Sequence, residues 1–335
     1  MSRLNDKIIE WLSAEAIELG FLECAPVSLK RDPNFNSYLD WVDNGHHKPL
    51  AYLEKNLDKR ENPSLLGDKL KSAIVFLHPY PKEFNSKYVA KYACGRDYHK
   101  SIKEKMFQLS DTFSKQWGQI EEQKICVDTV PILERSLAQQ SKMGWIGKNG
   151  CFISRKHGSF TLLSVWLLSY EYDEPLSEIN SFHCGKCTRC IEACPTDAFL
   201  EPGKINTSKC ISTLTIENRH TIDKKYFNKI LSSAFGCDIC QDVCPWNKKH
   251  LSTDDEEYLP DLKTLLSLDE KEFRDYFRKT PLDRPGWTGL KRNFLILASN
   301  DPNVPDSIFK NYSSHSNELL SITAKNILEL RNEQI

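Results

Sequence analysis

The residues best suited to redox chemistry lie in one cysteine run, HCGKCTRCIEACPTDAF, at residues 183–199. Its four cysteines are spaced C-x₂-C-x₂-C-x₃-C and are followed directly by Pro195. Bacterial ferredoxins with two [4Fe-4S] clusters use this spacing, and in them the fourth cysteine binds the other cluster. The run therefore predicts an iron-sulfur domain and requires a second cysteine run elsewhere in the chain.

A second run, GCDICQDVCPWN, contains Cys237, Cys240 and Cys244, with a proline directly after the last. It lacks a leading cysteine, because Ala234 occupies that position, and Cys210 between the two runs is the natural candidate to complete it. We predict two sets of four thiolates, each binding one [4Fe-4S] cluster. Set 1 is Cys184, Cys187, Cys190 and Cys244, and set 2 is Cys194, Cys210, Cys237 and Cys240.

Structural zinc is the alternative for paired C-x₂-C motifs. Zinc, however, requires neither a third cysteine two residues further on nor a Cys-Pro pair after each run. Disulfides are disfavoured because the N-terminus, MSRLNDKIIEWLSAEAIELGF, is charged and helical in pattern, unlike a signal peptide. We therefore expect a cytoplasmic protein with reduced thiols.

The composition is that of an ordinary globular protein, with 335 residues, 40% of them hydrophobic and 27% charged. This length accommodates two or three domains. The net charge of −1 excludes attraction of a polyanion by the molecule as a whole, so a nucleic acid would need a local basic patch. The longest apolar stretch, FTLLSVWLLSY (160–170), is too short for a membrane span and predicts a buried strand or core helix.

Patterning along the chain predicts an α+β fold with three parts. Residues 1–170 combine an amphipathic helix, strands at FLECAPVSL and SAIVFLHPYP, and a Gly-rich turn region between further strands. Residues 171–255 begin with a polar linker (171–180) and form the cluster domain. Residues 256–335 consist of short amphipathic helices that suggest a small helical repeat.

Two clusters alone would make a ferredoxin, but about 170 residues precede them. This additional domain predicts a redox catalyst that receives electrons from its own clusters. The nucleotide-binding patterns G-x-G-x-x-G and G-x-x-x-x-G-K-[ST] are both absent. The D-x-H-x-x-G loop of cobalamin proteins that supply a histidine ligand is also absent, since Asp97-Tyr98-His99 is followed by Ile102 where the glycine would be.

The chain resembles the epoxyqueuosine reductases over nearly its whole length. Beyond the cysteine runs, the matching segments are YACGRDYHK, VDTVPILERSLAQQSKMGWIGKNGCFIS, GSFTLLS, KCISTLTIE and GLKRNFLILASN. The resemblance implies reduction of epoxyqueuosine to queuosine at the wobble position of tRNA. It also implies a base-off cobalamin, two [4Fe-4S] clusters, an N-terminal domain similar to nitroreductases and B12-processing proteins, and a HEAT-like C-terminal segment.

For the site, the resemblance implies that Asp128 is the proton donor, which would require partial desolvation or nearby negative charge to keep its proton. Without the resemblance, Asp128 in VDTVP is a turn residue, and the glycines of MGWIGKNG (Gly144, Gly147, Gly150) form an ordinary turn. The cobalamin contacts that the resemblance implies are Cys94, Arg96, Asp97, Tyr98, Asp128, Gly147, Lys148, Asn149, Ser154 and His157.

Basic residues interleaved with tryptophan near the C-terminus have the mixture that RNA backbone contacts and base stacking require. Composition alone favours a solvated charged surface, whereas the resemblance implies contact with the anticodon stem-loop of tRNAs with GUN anticodons. The predicted tRNA contacts are Lys248, Lys249, Arg278, Lys279, Arg284, Trp287, Lys291 and Arg292. We further expect a monomer that receives electrons from an external low-potential donor.

Two alternatives remain at this stage. The first is a related cobalamin- and iron-sulfur-dependent reductase of a small molecule, such as an organohalide. The second is an electron-transfer ferredoxin module fused to a binding domain, which predicts no corrin and no role for Asp128. Cobalt content after reconstitution distinguishes the enzymes from the carrier.

Overall fold

The computed structural model describes residues 3–80, 86–173, 183–231, 233–247 and 259–333. The α-helices are α1 (Asp6–Glu18), α2 (Phe35–Asp43), α3 (Leu57–Glu61), α4 (Tyr98–Trp117), α5 (Glu134–Gln140), α6 (Arg189–Glu192), α7 (Ile211–Ile216), α8 (Ile239–Asp242), α9 (Leu262–Ser267), α10 (Glu270–Phe277), α11 (Gly286–Ser299), α12 (Asp306–Ser313) and α13 (Glu318–Glu333). The strands are β1 (Glu23–Ser28), β2 (Ser72–Pro79), β3 (Gln123–Cys126), β4 (Gly144–Ile146), β5 (Phe152–Ser154), β6 (Thr161–Leu168), β7 (Phe199–Glu201) and β8 (Lys204–Ile205).

A four-stranded antiparallel sheet in the order β1-β2-β6-β3 lies at the centre of the N-terminal half. Successive side chains of a strand point to opposite faces. One face packs against Leu12 of α1 and Phe113 of α4, and the other against Leu137 of α5. Because both faces are covered, β2 and β6 are apolar along most of their length, and the prediction of a buried strand within FTLLSVWLLSY is confirmed.

Helix α4 begins at a polar cap that also belongs to the candidate site. Asp97 is the N-cap residue, and its side chain accepts a hydrogen bond from the backbone N–H of His99. The helix ends at Gly118, whose φ of 98° lies in the region that glycine adopts without strain. The cap therefore places the Asp97-Tyr98-His99 segment on the first turn of a long, well-packed helix.

A second hydrophobic core joins the C-terminal helices to a segment of the N-terminal half. Its buried side chains include Leu265, Phe294 and Phe309 from the C-terminal helices together with Val89 and Cys94. Val89 also forms a β-bridge with Phe235, directly before the second cysteine run. The segment between β2 and α4 is therefore packed against the cluster-binding region, which bears on the site.

Several predictions on organisation stay untested. The boundaries 1–170, 171–255 and 256–335 and the HEAT-like character of the C-terminal helices remain predictions, and residues 174–180 of the predicted linker lie outside the described residues. Among the helices that the structure describes, none combines the length and apolarity needed to cross a bilayer. The twelve cysteines, all of them within the described residues, form no disulfide bond.

Candidate redox active site

Asp128 lies just beyond the end of β3, in a backbone conformation that is uncommon for a residue with a side chain. Its φ is 53°, in the left-handed region, where such strain is frequent at functional sites. The phenol of Tyr98 donates a hydrogen bond to Oδ2 of Asp128 over 3.3 Å. The side chain of Asp128 is 71% exposed, so the desolvation expected for a proton donor is not present in this conformation.

His99 lies between two carboxylates. Its Nε2 atom is 3.8 Å from Oδ2 of Asp128, and its Nδ1 atom is 2.7 Å from Oδ1 of Asp97. The ring stacks on Tyr98 with a centroid separation of 4.1 Å. Burial lowers the pKa of His99, but the two carboxylates outweigh burial and raise the pKa above its ordinary value. His99 can therefore hold a proton beside Asp128.

Further titratable groups lie near Asp128 and His99. Glu134 at the start of α5 has a buried Oε1 atom with no hydrogen-bond partner in the described part of the chain. Burial, together with the charge of Asp128, raises the pKa of Glu134 to about 8. Burial and Asp128 also raise the pKa of Tyr98, so its phenol stays protonated and donates. His99 and Glu134 were not among the predicted site residues, although His99 directly follows the predicted Asp97-Tyr98 contacts.

The two predicted cysteine sets are each brought together by the fold. In set 1, burial and the neighbouring Cys184 raise the pKa of Cys190 to about 11, and Cys244 also lies close. In set 2, burial raises the pKa of Cys237 to about 12, with Cys210 and Cys194 as neighbours. Partly buried, mutually close thiols of this kind are unfavourable as bare thiolates, which suits a group whose positive iron ions neutralise them.

The described residues contain no cluster of three or more histidine, cysteine, aspartate or glutamate side chains spaced to hold a single metal ion. The ligands of a [4Fe-4S] cluster bind four different irons and are necessarily farther apart than the ligands of one zinc ion. The thiols of each set are nonetheless close enough to influence one another's pKa.

The hairpin formed by β4 and β5 reaches both cysteine sets from the N-terminal half. Lys148 and Asn149 at its turn line a cavity with the four cysteines of set 1, and the Nζ atom of Lys148 donates to the carbonyl of Gly185 over 2.8 Å. Cys151, on the same hairpin, shares a thiol hydrogen bond with Cys240 of set 2. Cys151 was not predicted as a site residue, and its position in GKNGC carries no ligand spacing that would have identified it.

A short segment connects set 2 to the acid site. The backbone N–H of Ala90 donates to the carbonyl of Phe235 over 2.8 Å, and that of Lys91 donates to Oδ2 of Asp238 over 2.7 Å. Asp238 lies between two cysteines of set 2, and residues 92–99 continue directly from Lys91 to His99. The chain thus brings the second cysteine set and the Asp128 site to opposite ends of one segment of about ten residues.

Several predicted cobalamin contacts are buried, and their role stays a prediction. Cys94 and Ser154 have no exposed surface. A side chain on Gly147 would come within 2.5 Å of the Ile153 side chain, so this glycine allows the two hairpin strands to approach each other closely. The residues that keep accessible surface are Arg96, Asp97, Tyr98, Asp128, Lys148 and His157.

Two of the predicted tRNA contacts are buried as well. Lys291 and Arg292 are 1% and 0% exposed, and both use their donors within the fold. The ammonium of Lys291 donates to the carbonyls of Leu265, Leu266 and Leu268 at the end of α9. The guanidinium of Arg292 donates to the carbonyls of Leu214, Asn218 and His220 at the end of α7. Each cation therefore supplies hydrogen-bond donors to the backbone carbonyls at the C-terminal end of a helix.

The other predicted tRNA contacts differ in their exposure. Arg278, Lys279 and Arg284 are exposed and Trp287 is half-buried, while Lys248 and Lys249 lie outside the described residues. The carbonyl of Lys279 accepts from the backbone N–H of Asp97 over 3.1 Å. Three exposed cations therefore lie on a segment that directly contacts the acid site.

Comparisons with known proteins agree with this arrangement. The family model for epoxyqueuosine reductase QueG matches residues 60–129, and the model for a 4Fe-4S double cluster binding domain matches residues 183–247. A curated epoxyqueuosine reductase from Cellulophaga algicola is 38% identical over 312 residues, covering 88% of this chain and 99% of the relative. The chain belongs to the epoxyqueuosine reductase family.

The epoxyqueuosine reductase from Streptococcus thermophilus has a similar structure, with a TM-score of 0.84 and 28% identity over 96% of this chain and 89% of that one. Another solved epoxyqueuosine reductase, which holds an epoxyqueuosine-modified tRNA stem loop, is 24% identical with a TM-score of 0.79 over 97% and 99% of the two chains. These findings confirm the predicted family, its oxidoreductase class and the mixed helix and sheet fold. The double-cluster match contains every cysteine of sets 1 and 2, and confirms an iron-sulfur domain.

Proposed function

We propose that the protein reduces epoxyqueuosine in tRNA to queuosine, with Asp128 as proton donor and the two cysteine sets as the route for electrons. Removal of the epoxide oxygen as water consumes two electrons and two protons and leaves an alkene. The observation that carries the proposal is the segment that runs from Lys91, beside set 2, to His99, beside Asp128. One short segment of the chain thereby connects the proposed electron source to the proposed proton source.

Set 2 is proposed as the inner cluster and set 1 as the outer one. Set 2 is close to the segment that leads to the acid site, whereas set 1 lies at the turn of the β4-β5 hairpin. A reductant outside the protein would supply set 1, and electrons would pass to set 2 one at a time. The external low-potential donor, a cytoplasmic location and a monomeric state stay predictions that accompany this proposal.

Cobalamin is proposed from the family resemblance as the group between the clusters and the substrate. When bound base-off, it supplies a strongly reducing metal centre for cleavage of the carbon–oxygen bond. The accessible side chains of Arg96, Tyr98, Lys148 and His157 are the residues that would hold it. Their exposure and mixed cationic and aromatic character fit a large amphipathic ligand.

Protons would be handled by the chain itself. Asp128 delivers a proton to the oxygen that leaves the substrate, and Tyr98 orients the carboxylate through its hydrogen bond to Oδ2. His99 then returns a proton to Asp128 and is held in place by Asp97. A bound nucleoside would cover the exposed carboxylate, and so desolvate it.

The tRNA is proposed to approach over the segment that carries the exposed cations. Arg278 and Lys279 lie next to Asp97, and Nε of Arg284 donates to Oε1 of Glu217 over 3.0 Å. Phosphate neutralisation by these cations would position the anticodon loop, and Trp287 offers a partly exposed ring for stacking. The proposed preference for GUN anticodons rests on the family resemblance alone.

The test is anaerobic reconstitution with iron, sulfide and cobalamin, followed by incubation with epoxyqueuosine-containing tRNA and a strong reductant. Mass spectrometry of the digested nucleosides should detect queuosine. No queuosine from protein with full iron and cobalt would overturn the substrate and favour a small-molecule reductase. Iron without bound cobalt would instead favour an electron carrier.

A further inference from the structure

The β4-β5 hairpin contains two buried N–H donors that have no acceptor in the described part of the chain. They are Nδ2 of Asn149 and Nε1 of Trp145. The residues are 2% and 0% exposed, so bulk solvent does not reach them. Buried donors without acceptors are rare in folded proteins, and two of them next to a predicted ligand site call for an explanation.

Both residues adjoin cysteine set 1. Asn149 lines the cavity that Cys184, Cys187, Cys190 and Cys244 surround. Trp145 packs in a small buried group with Ile153, Cys244 and Cys184. The two residues that carry these donors therefore adjoin the four cysteines of set 1.

The orientation of the Asn149 amide follows from its other contact. Its Oδ1 atom accepts a hydrogen bond from the backbone N–H of Cys151 over 3.1 Å. A backbone N–H can only donate, so the oxygen of the amide must face the hairpin turn. The NH₂ group is left on the side away from that contact, without an acceptor among the described residues.

We propose that Asn149 and Trp145 donate N–H···S hydrogen bonds to sulfur atoms of the [4Fe-4S] cluster held by set 1, and thereby raise its reduction potential. One-electron reduction adds negative charge that is shared by the cluster sulfurs, so a hydrogen bond to sulfur stabilises the reduced state more than the oxidised state. The ammonium of Lys148, bonded to the carbonyl of Gly185, adds positive charge next to Cys184.

The inference rests on the cluster assignment within the proposed function and assigns a role to the hairpin. The outer cluster would accept electrons more readily from the external donor because the hairpin stabilises its reduced form. Asn149, predicted as a cobalamin contact, would act on the outer cluster instead.

The test is a redox titration of the reconstituted full-length protein, with cluster reduction monitored by electron paramagnetic resonance. It compares the wild type with Trp145→Phe and Asn149→Ala. Trp145→Phe removes only the indole N–H and keeps an aromatic ring. Trp117→Phe is the matched control, because Trp117 Nε1 also lacks a partner among the described residues but Trp117 packs near Trp11, in the core between α1 and α4.

In each hairpin variant, the ratio of reduced to oxidised cluster at a fixed potential should fall about fivefold for one of the two clusters. The one-electron relation converts this to a midpoint about 40 mV more negative. The other cluster, and both clusters of Trp117→Phe, should keep their wild-type midpoints.

Unchanged midpoints in both hairpin variants at full iron content would overturn the inference. If Asn149→Ala loses iron because the turn is disturbed, the midpoint of Trp145→Phe decides the question. A wild-type protein that binds no iron would overturn the cluster assignment itself, and iron analysis before the titration separates that result from a failure of the hydrogen-bond proposal.

Discussion

The Nε2 atom of His99 lies 3.8 Å from Oδ2 of Asp128, while its Nδ1 atom lies 2.7 Å from Oδ1 of Asp97. One imidazole thus connects an exposed carboxylate to the carboxylate that caps α4. Because Asp97 also accepts from the backbone N–H of His99 over 3.0 Å, the first turn of the helix holds the ring in place. The arrangement makes His99 a route by which Asp128 can regain a proton after each turnover.

Asp128→Asn should abolish most activity and leave the fold intact. Asparagine keeps the size and tolerates the left-handed backbone of this position but has no proton to deliver. We expect turnover to fall by about 10²–10⁴-fold, with iron content unchanged. Queuosine formation is the measurement, and Asp111→Asn, at an exposed position on α4, is the control. Wild-type turnover in Asp128→Asn would exclude Asp128 as the acid.

His99→Gln should change the pH dependence as well as the rate. In the wild type, the protonated ring returns the proton, so activity should decline as pH rises through the pKa of His99, above its ordinary value of 6.5. The variant should turn over about tenfold more slowly and lose this decline. An identical pH profile in wild type and variant would show that His99 only positions Asp128.

Cys210→Ser should remove the inner cluster selectively. Iron content is expected to fall from about eight to about four atoms per chain, because set 2 then has three thiolates. The control is Cys24→Ser, since Cys24 is close to Ser13 and far from both sets in the fold. Retention of all the iron would contradict the ligand role of Cys210 and direct attention to Cys151, the neighbour of Cys240.

Lys291→Met should lower stability without a specific effect on tRNA. Three carbonyls at the end of α9 would lose their donor, at a cost of roughly 1–3 kcal/mol of unfolding free energy. The contrasting variant is Lys279→Ala, which should keep its melting temperature but bind tRNA more weakly, with a salt slope reduced by about one. A weaker tRNA affinity in folded Lys291→Met would restore a direct role for Lys291.

Glu134→Gln should stabilise the protein at alkaline pH. Burial and Asp128 raise the pKa of the folded-state carboxyl from 4.5 to about 8, so the folded state holds its proton more tightly than the unfolded state. The stability of the wild type should therefore decrease as pH rises between these two values. The amide introduced by the substitution does not titrate, so the difference in melting temperature between variant and wild type should grow from about pH 6 to about pH 8. A constant difference over this range would mean that Glu134 is ionised throughout.

Residues close together in the sequence were predicted well. The spacing of the cysteines indicated two clusters because both runs place ligands within a few residues of one another. The apolar patterns of β2 and β6 indicated buried strands because the alternation of side chains along a strand is a local property. The order of the matched segments was enough to indicate the family.

The tertiary structure alone decided which polar groups are available for chemistry. In GLKRN, Lys291 and Arg292 have the composition of an RNA contact, but the ends of two other helices meet them and bury them. His99 and Asp128 are about thirty residues apart and become neighbours only because α4 packs against the sheet in which β3 is an edge strand. Cys151 reaches set 2 by the folding of a hairpin onto the cluster domain. Local spacing was enough to indicate an iron-sulfur domain and buried strands. The burial of a cation and the partner of a carboxylate depend instead on contacts between distant segments, which no local pattern specifies.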